Sequence, residues 1–399
     1  MNGKEEKKAA LLLVTLLGVV SLCADMTYEG AWSVAGSFLA SLGASGAMVG
    51  FLGGFGELVG HALRLVSGAL VDRTKRYWGF TIFGYSVNLV SVPLLSVAWT
   101  WPGAALLLML ERVGKAVRAP AKDVILSHGA SRIGTSFGFG LHEAMDQTGA
   151  LCGPLLMAWA LSHWGNYRAG FQLLAIPAAV ALAALLFARR LYPNPQDLEE
   201  TEVGIPVTHF SRTYWLLLGA CAMMAAGFAD FALIAFHLEK QKLFNSSLIP
   251  VLYAMAMAID GISAVMMGRW LDTVRLEALM VVCGIVSCAV GLMFLGSRPM
   301  IAAGLVVWGM GLGAIGSLVK ATVAKLAPGG KRGSAYGYYH GAFGGGWFLG
   351  SMILGQLYDR SLPVMAAVSA GFEFAAVALF YSRNESPRGL EVWTNRPGL

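Results

Sequence analysis

Long apolar stretches dominate this chain and restrict what it can fold into. A membrane-spanning helix needs about 20 largely apolar residues. The sequence offers twelve such stretches, separated by short turns rich in Gly, Pro or charge, near residues 10–38, 46–70, 78–99, 104–127, 136–160, 168–189, 213–238, 247–270, 276–297, 300–325, 335–358 and 363–382. The first stretch is too long for a cleaved signal peptide and carries two carboxylates in its middle. An all-α membrane protein with twelve transmembrane helices is therefore predicted.

Composition and charge exclude several other classes. Charged residues make up 13% of the chain and apolar residues 56%, whereas soluble proteins carry about 25% charged residues. The five Cys lie in apolar stretches without a C-x-x-C motif, so neither a disulfide framework nor a zinc site is indicated. We expect no cofactor and no metal. Although the formal net charge is +6, no basic stripe interleaved with aromatic residues indicates nucleic-acid binding.

The distribution of Lys and Arg predicts the orientation of the chain. Most of them fall in loops on one side of the predicted membrane, and the other side receives Arg168, Lys240, Lys242, Arg298 and Arg360. Short cytoplasmic loops retain positive charge. We therefore expect a multi-pass protein of the cell membrane with both termini in the cytoplasm. A basic patch that binds anionic lipid is the alternative.

A weak internal repeat divides the chain in two. The segment 134–139 (GTSFGF) matches 333–338 (GSAYGY) at an offset of 199, and 68–72 (GALVD) matches 268–272 (GRWLD) at an offset of 200. We expect two pseudo-symmetric six-helix bundles, residues 1–190 and 213–399, joined by a polar cytoplasmic linker at 191–212. The second bundle ends in a short cytoplasmic tail. Repeated halves with a central site are typical of secondary transporters.

The loop after the second stretch resembles a motif of the major facilitator superfamily, Gly-x-x-x-Asp-Arg-x-Gly-Arg-Arg. Here Gly68, Asp72, Arg73 and Arg76 match it, whereas Lys75 replaces the Gly. The resemblance covers the whole chain and implies that these four matching residues form a cytoplasmic gate. Gly68 would let two helices approach closely, and Asp72 would accept hydrogen bonds from a helix N-terminus. A merely stabilising turn is the alternative.

A second motif resembles the signature of proton-coupled antiporters in that superfamily. Gly149, Gly153 and Pro154 match its Gly-x-x-x-Gly-Pro pattern, but the paired Gly expected after the Pro is absent. Arg112 is similar to the buried Arg of that group in helix 4. The resemblance implies export by antiport. A close-packing kink explains the glycines and the proline equally well.

Ionisable residues inside apolar helices are costly and are candidates for function. Asp25, Glu29 and Asp146 are the proposed proton carriers, because the spacing places Asp25 and Glu29 on one face of helix 1 and Asp146 on the glycine face of helix 5. Arg112 and Lys320 are the proposed counter-charges, one from each half. Fixed ion pairs between helices are the alternative.

Further residues are expected to line a central cavity: Tyr28, Trp32, Arg112, His142, Asp230, Asp260, Trp308, Lys320 and His340. For the aromatic residues, ordinary helix packing is the competing interpretation. For His340, a hydrogen-bonded core position is the alternative. Glu57, His61 and Arg64 in helix 2 are expected to support the gate.

These features predict a secondary active transporter that moves a small organic solute by alternating access, with proton-coupled export as the favoured mode. Proton-coupled uptake and facilitated diffusion remain open, and a transporter-like receptor is the alternative of another class. The chain is not expected to be an enzyme, because it contains no G-x-S-x-G, H-E-x-x-H or nucleotide-binding P-loop motif. The expected partners are the substrate, protons and the lipid bilayer, and the protein is expected to act as a monomer without nucleic acid.

Overall fold

The computed structural model describes residues 3–194, 210–270, 277–315 and 332–384, and these ranges are helical apart from short turns. The helices are α1 (Gly3–Ser41), α2 (Gly46–Thr74), α3 (Tyr77–Leu94), α4 (Trp101–Ile133), α5 (Thr135–Trp164), α6 (Tyr167–Leu173), α7 (Ala175–Leu191), α8 (Arg212–Gly227), α9 (Phe231–Lys240), α10 (Ile249–Trp270), α11 (Glu277–Val286), α12 (Ala289–Leu295), α13 (Arg298–Ala314), α14 (Arg332–Tyr358) and α15 (Leu362–Asn384). The predicted all-α class is confirmed for the described residues.

Each apolar stretch of the sequence overlaps at least one of these helices. Among the described residues, six segments are long and apolar enough to cross a membrane: Lys7–Ser41, Gly46–Thr74, Tyr77–Val97, Tyr167–Leu191, Arg212–Lys240 and Leu362–Tyr381. The number of membrane crossings, twelve, stays a prediction.

One of these segments is discontinuous, because α8 ends at Gly227 and α9 begins at Phe231. Phe228 between them has an extended backbone, with φ −74° and ψ 128°. Two carbonyls freed by the break find new donors. The Ser369 hydroxyl donates to the Gly227 carbonyl at 2.6 Å, and Trp308 Nε1 donates to the Ala229 carbonyl at 2.9 Å. Such compensation is what lets a broken helix persist inside a membrane.

The helices form two compact units. Unit 1 comprises Met1–Ser45, Phe55–Val203 and Phe231–Met255, and unit 2 comprises Gly46–Gly54, Gly204–Asp230 and Ala256–Leu399. Each unit is built mainly from one half of the sequence and takes a short segment from the other half. The division into two symmetric bundles at the linker stays a prediction.

In unit 1, α1 and α5 pack against each other with their backbones close together. A Cβ on Gly149 would collide with the carbonyl of Leu22, and a Cβ on Gly153 would collide with the carbonyl of Met26. Pro154 follows directly and lies inside α5. The close-packing interpretation of this motif is therefore supported, and a role in coupling stays a prediction.

Replacing Gly149 with Ala is expected to lower the free energy of unfolding by about 1 to 3 kcal/mol, because the methyl group meets backbone that cannot rotate away. Gly140 on the same helix is the matched control, since a Cβ there meets nothing within 4 Å. Gly140→Ala should be neutral or stabilising by up to ~1 kcal/mol. A dodecyl sulfate unfolding titration of both variants measures the difference, and equal midpoints would contradict the prediction.

Candidate functional site

Unit 1 contains a cluster of ionisable side chains, here called the charge cluster. Its members come from four helices: Asp25, Glu29, Glu57, Glu111, Arg112, Lys115, Arg118, His142 and Asp146. Most of them are buried or half-buried. Charges at this depth must be paired, hydrogen-bonded or functional. The partners of each side chain therefore indicate whether its role is structural or functional.

Asp25 lies on α1 and is 5% exposed. Its Oδ1 accepts a short hydrogen bond from the hydroxyl of Tyr28, one turn further along the helix. Within the described residues, no cationic nitrogen lies within 4.0 Å of this carboxylate. The positive charges of Lys115 and Arg118 act on it from α4, and the negative charge of Asp146 opposes them from α5.

Glu29, the second carboxylate on this face, has fixed partners. Its Oε1 lies 3.6 Å from Lys115 Nζ, and its Oε2 accepts a hydrogen bond from the Tyr253 hydroxyl at 2.6 Å. The Lys115 ammonium also lies over the ring of Tyr28, 3.8 Å from its centroid. The ion-pair alternative therefore describes Glu29 better than it describes Asp25.

Glu111 anchors the most deeply buried part of the charge cluster and is 1% exposed. Its Oε2 accepts a hydrogen bond from Trp32 Nε1 at 2.7 Å, and its Oε1 accepts one from Asn88 Nδ2 at 2.7 Å. Trp32 was expected to line a cavity, but its indole nitrogen is committed to this carboxylate. Sequence reasoning did not name Asn88, although an amide inside the otherwise apolar α3 could have drawn attention to it.

Arg112 pairs with a different carboxylate from those expected. Its guanidinium lies 3.0 Å from Glu57 Oε1 on α2 and stacks over the ring of Trp32, 4.1 Å from its centroid. His61 Nε2 approaches the other oxygen of Glu57 at 3.8 Å. In this structure Arg112 pairs with Glu57 rather than with a proposed proton carrier, and its role as counter-charge stays a prediction. The reason for this pairing is that Arg112 points about a quarter turn away from the face that carries Lys115 and Arg118.

Arg118 occupies the place that was expected for Arg112. It is 4% exposed, and its guanidinium lies over the ring of Tyr85, 4.1 Å from the centroid. The charges of Asp25 and Asp146 act on it, yet no described carboxylate oxygen lies within 4.0 Å. Arg118 was not among the site residues predicted from the sequence.

His142 and Asp146 bring α5 into the site. His142 is buried, and its Nε2 lies 2.9 Å from the Ser21 hydroxyl on α1. Asp146 forms no ion pair with the described residues. It lines a cavity of about 490 Å³ together with Lys122, Asp123, Leu126, Phe139, Gly140, His142 and Glu143. The cavity gives water a route to the Asp146 carboxylate.

In unit 2, several of the predicted cavity residues contact aromatic side chains or the backbone. Trp347 Nε1 donates to Asp230 Oδ2 at 3.4 Å, and buried Trp308 donates to the backbone of the broken helix. The ring of His340 packs against Tyr339 at 5.0 Å. Asp260 is half-buried on α10. Lys320 lies outside the described residues.

The predicted gate residues lie at the end of α2, where Asp72, Arg73 and Arg76 are exposed. Asp72 forms no hydrogen bond or ion pair with the described part of the chain, so the gate remains a prediction for another conformation. The proposed reason for Gly68 is wrong here. A Cβ on Gly68 would lie 3.8 Å from Pro120, which is an ordinary contact rather than a close helix approach.

Lys75 stands where the resembled motif has Gly, and its backbone has φ +55°. A side chain in this left-handed region costs ~1 kcal/mol, so Lys75→Gly is expected to stabilise the protein by about that amount. Arg76→Gly is the matched control, because it removes the same charge at a neighbouring residue with φ −88°. The midpoint of thermal unfolding should rise for Lys75→Gly alone. A rise of the same size in both variants would assign the effect to charge.

Comparison with known proteins identifies the family. The family model of the Major Facilitator Superfamily matches residues 17–351 and 216–392. The chain belongs to the major facilitator superfamily.

Two relatives agree with this membership. The uncharacterized protein Rv2265 of Mycobacterium tuberculosis (strain H37Rv) is 39% identical over 381 residues, which cover 94% of this chain and 93% of the relative. An uncharacterized MFS-type transporter of Methanocaldococcus jannaschii, MJ1317, is 28% identical over 194 residues, or 48% of each chain.

Solved structures share the fold of this superfamily member. A peptide transporter POT in complex with sulfate has a TM-score of 0.74 at 13% identity and covers 95% of each chain. The nucleoside transporter NupG has a TM-score of 0.72 at 13% identity and covers 93% of this chain and 99% of NupG. A bacterial homolog of the lysosomal transporter Spinster, inward-facing and occupied, has a TM-score of 0.68 at 14% identity and covers 97% and 98% of the two chains.

Membership in the superfamily fixes the general activity. The protein is a multi-pass membrane protein and a secondary transporter of a small molecule. At such low identity the solved structures support the fold alone, and the charge cluster must supply any argument about coupling.

Proposed function

We propose that this superfamily transporter is a proton-coupled antiporter that exports a small organic solute, with Asp25 and Asp146 as its proton carriers. One observation carries the proposal. Asp25 and Asp146 have no cationic nitrogen within 4.0 Å among the described residues, whereas Glu29 and Glu57 each have one. A buried or half-buried carboxylate without a cationic partner is stabilised by taking up a proton, so we infer that these two are suited to load and release one.

Arg118 is the proposed switching cation. It is buried between aromatic rings, and its charge acts on both aspartates without being committed to either. A deprotonated aspartate would attract the guanidinium, and a protonated one would release it. Such a change in pairing can link protonation to a helix movement, because only the charged form of the acid gains from the cation.

Glu29 takes a supporting role in this proposal. Its carboxylate holds Lys115 and the Tyr253 hydroxyl at the same time. Loss of this carboxylate would leave the Lys115 charge without its partner, which is costly at this depth. We therefore infer that Glu29 positions Lys115.

The proposal includes the topology predicted from the sequence. The transporter would cross the cell membrane twelve times as two six-helix bundles, act as a monomer and keep both termini in the cytoplasm. The positive-inside distribution of Lys and Arg supports this orientation. Labelling of single cysteines introduced near residue 5 and near residue 390 from either side of intact cells tests it, and labelling from outside at either end would overturn it.

Proteoliposomes test the coupling. Purified protein would be screened with cationic, anionic and zwitterionic solutes, with and without an imposed pH gradient. Antiport predicts that a gradient drives solute movement opposite to the protons and that solute flux in turn moves protons. Solute flux in the same direction as the protons would indicate proton-coupled uptake. Solute flux that does not depend on the pH gradient would indicate facilitated diffusion.

A further inference from the structure

Unit 2 contains a buried carboxyl group that the charge cluster does not use. Glu373 lies near the middle of the candidate span Leu362–Tyr381 on α15 and is 1% exposed. Neither of its carboxyl oxygens has a hydrogen-bond partner among the described residues. A buried carboxylate at membrane depth is a functional candidate when no structural partner explains it.

No positively charged side chain pairs with Glu373 within the described part of the chain. Its helix packs against α8, α11, α12 and α14. From α11 the Cys283 thiol lies beside the carboxyl without hydrogen-bond geometry and contacts the sulfur of Met224 at 3.4 Å. From α8 the Cys221 thiol lies near Cys283.

The two remaining neighbouring helices, in their described parts, supply no hydrogen-bond partner for Glu373. The helix α12 has no ionisable side chain. Of the described ionisable residues of α14, which are Tyr338, Tyr339, His340 and Tyr358, none forms a hydrogen bond or ion pair with Glu373. Among the described residues of unit 2, Glu373 therefore forms no ion pair.

The broken helix places a second feature against this carboxyl group. A Cβ on Gly227, the last residue of α8, would lie 2.7 Å from Glu373 Oε1, so the carboxyl group packs directly on the end of α8. One turn earlier on α15, the Ser369 hydroxyl is already committed to the Gly227 carbonyl. The C-terminal end of a helix carries partial negative charge. This charge repels an ionised carboxylate but does not repel a protonated, neutral carboxyl group.

We propose that Glu373 is a second proton-binding site of this transporter, which holds its proton in the described conformation and exchanges it when the break between α8 and α9 moves. The side chain is 1% exposed, no cationic side chain among the described residues pairs with it, and the end of α8 disfavours negative charge, so the proton is the ligand that this group can hold. Discontinuous helices supply coupling-ion sites in other transporters because their ends can shift. A sodium ion would need several more oxygen ligands than the one carboxyl group and the engaged Gly227 carbonyl supply.

Infrared difference spectroscopy on the full-length protein in lipid tests the site without any transport assay. The wild-type spectrum should contain the band of a protonated carboxyl group that weakens as the pH is raised. Glu373→Gln should lack that band, and Glu373→Asp should keep a carboxyl band that titrates at a different pH. Glu143→Gln, which removes an exposed carboxylate of unit 1, should leave the band unchanged.

The outcomes separate three alternatives. Identical spectra for wild type and Glu373→Gln would overturn the proposal, as would a band that does not change with pH, because the group would then be permanently neutral. A band abolished by sodium but not by choline at constant pH would replace the proton with a sodium ion. Any of these results can be obtained even if the antiport proposed above is wrong.

A transport readout extends the test and rests on the proposed antiport. The number of protons exchanged per solute, measured from the pH gradient that just balances a known solute gradient, should be lower by one in Glu373→Gln than in wild type. An unchanged ratio together with a titrating infrared band would mean that Glu373 binds a proton but does not take part in coupling, and would overturn the second half of the proposal.

Discussion

Asp25→Asn and Asp146→Asn are expected to abolish solute transport driven by a pH gradient while leaving solute exchange at equal pH on both sides. Exchange needs no net movement of protons, so an amide that mimics the protonated acid still supports it. Gradient-driven flux requires that the carrier lose its proton on one side of the membrane, and an amide cannot do so. The measurement is flux of one solute in the same proteoliposomes in both modes.

Two comparisons keep this prediction specific. Glu143→Gln removes an exposed carboxylate that lines the same cavity as Asp146, one turn earlier on α5, so it should leave exchange intact and slow gradient-driven flux without abolishing it. Glu29→Gln should reduce both modes together, because it releases Lys115 and Tyr253 from a structural contact. If both aspartate variants keep full gradient-driven flux, the carrier lies elsewhere, and Asp230, Asp260 and a uniport mechanism become the alternatives.

Glu111→Ala is expected to lower the free energy of unfolding by about 3 to 5 kcal/mol, which is the cost of breaking a buried, hydrogen-bonded charge network. Removal of the carboxylate leaves Trp32 Nε1 and one amide hydrogen of Asn88 without an acceptor. Glu111→Gln should cost less, since it keeps one acceptor oxygen and the side-chain shape.

The matched control for this loss is Glu143→Ala, which shortens an exposed glutamate to the same residue. A surface change of this kind normally stays within about 0.5 kcal/mol. Dodecyl sulfate unfolding titrations of the three variants give the comparison. A loss under about 1 kcal/mol for Glu111→Ala would show that water replaces the missing acceptor.

For the charge cluster, residue spacing alone predicts which side chains share one face of a helix. The 100° step of a helix was enough to place Asp25, Tyr28, Glu29 and Trp32 on one face of α1, and all four make contacts within the cluster. The spacing also places Arg112 about a quarter turn away from the face of α4 that carries Lys115 and Arg118. It could not tell which helix Arg112 would meet, since that depends on where α2 packs.

For other residues, the sequence contains no pattern that predicts their interaction partners. The exposed loop motif around Asp72 matched a family pattern, yet the bonds it is expected to form depend on the conformation of the transporter. Glu373 lies in the last apolar stretch of the sequence, but its lack of a partner among the described residues is a property of its neighbours on α8 and α11. A carboxylate is equally visible in a sequence whether a cation lies beside it or not.

The membrane environment, the helical class and the resemblance to a transporter family could be predicted from the sequence. These properties follow from local features: a long apolar run in lipid forms a helix because a helix satisfies its backbone hydrogen bonds within the segment, and short motifs are read from adjacent residues. The pairing of charges could be seen in the packed structure alone. Helix packing pairs Glu29 with Lys115 and Arg112 with Glu57. It leaves four groups without an ion-pair partner among the described residues: Asp25, Asp146, Arg118 and Glu373. Electrostatic pairing depends on distances of a few ångströms between segments far apart in the chain.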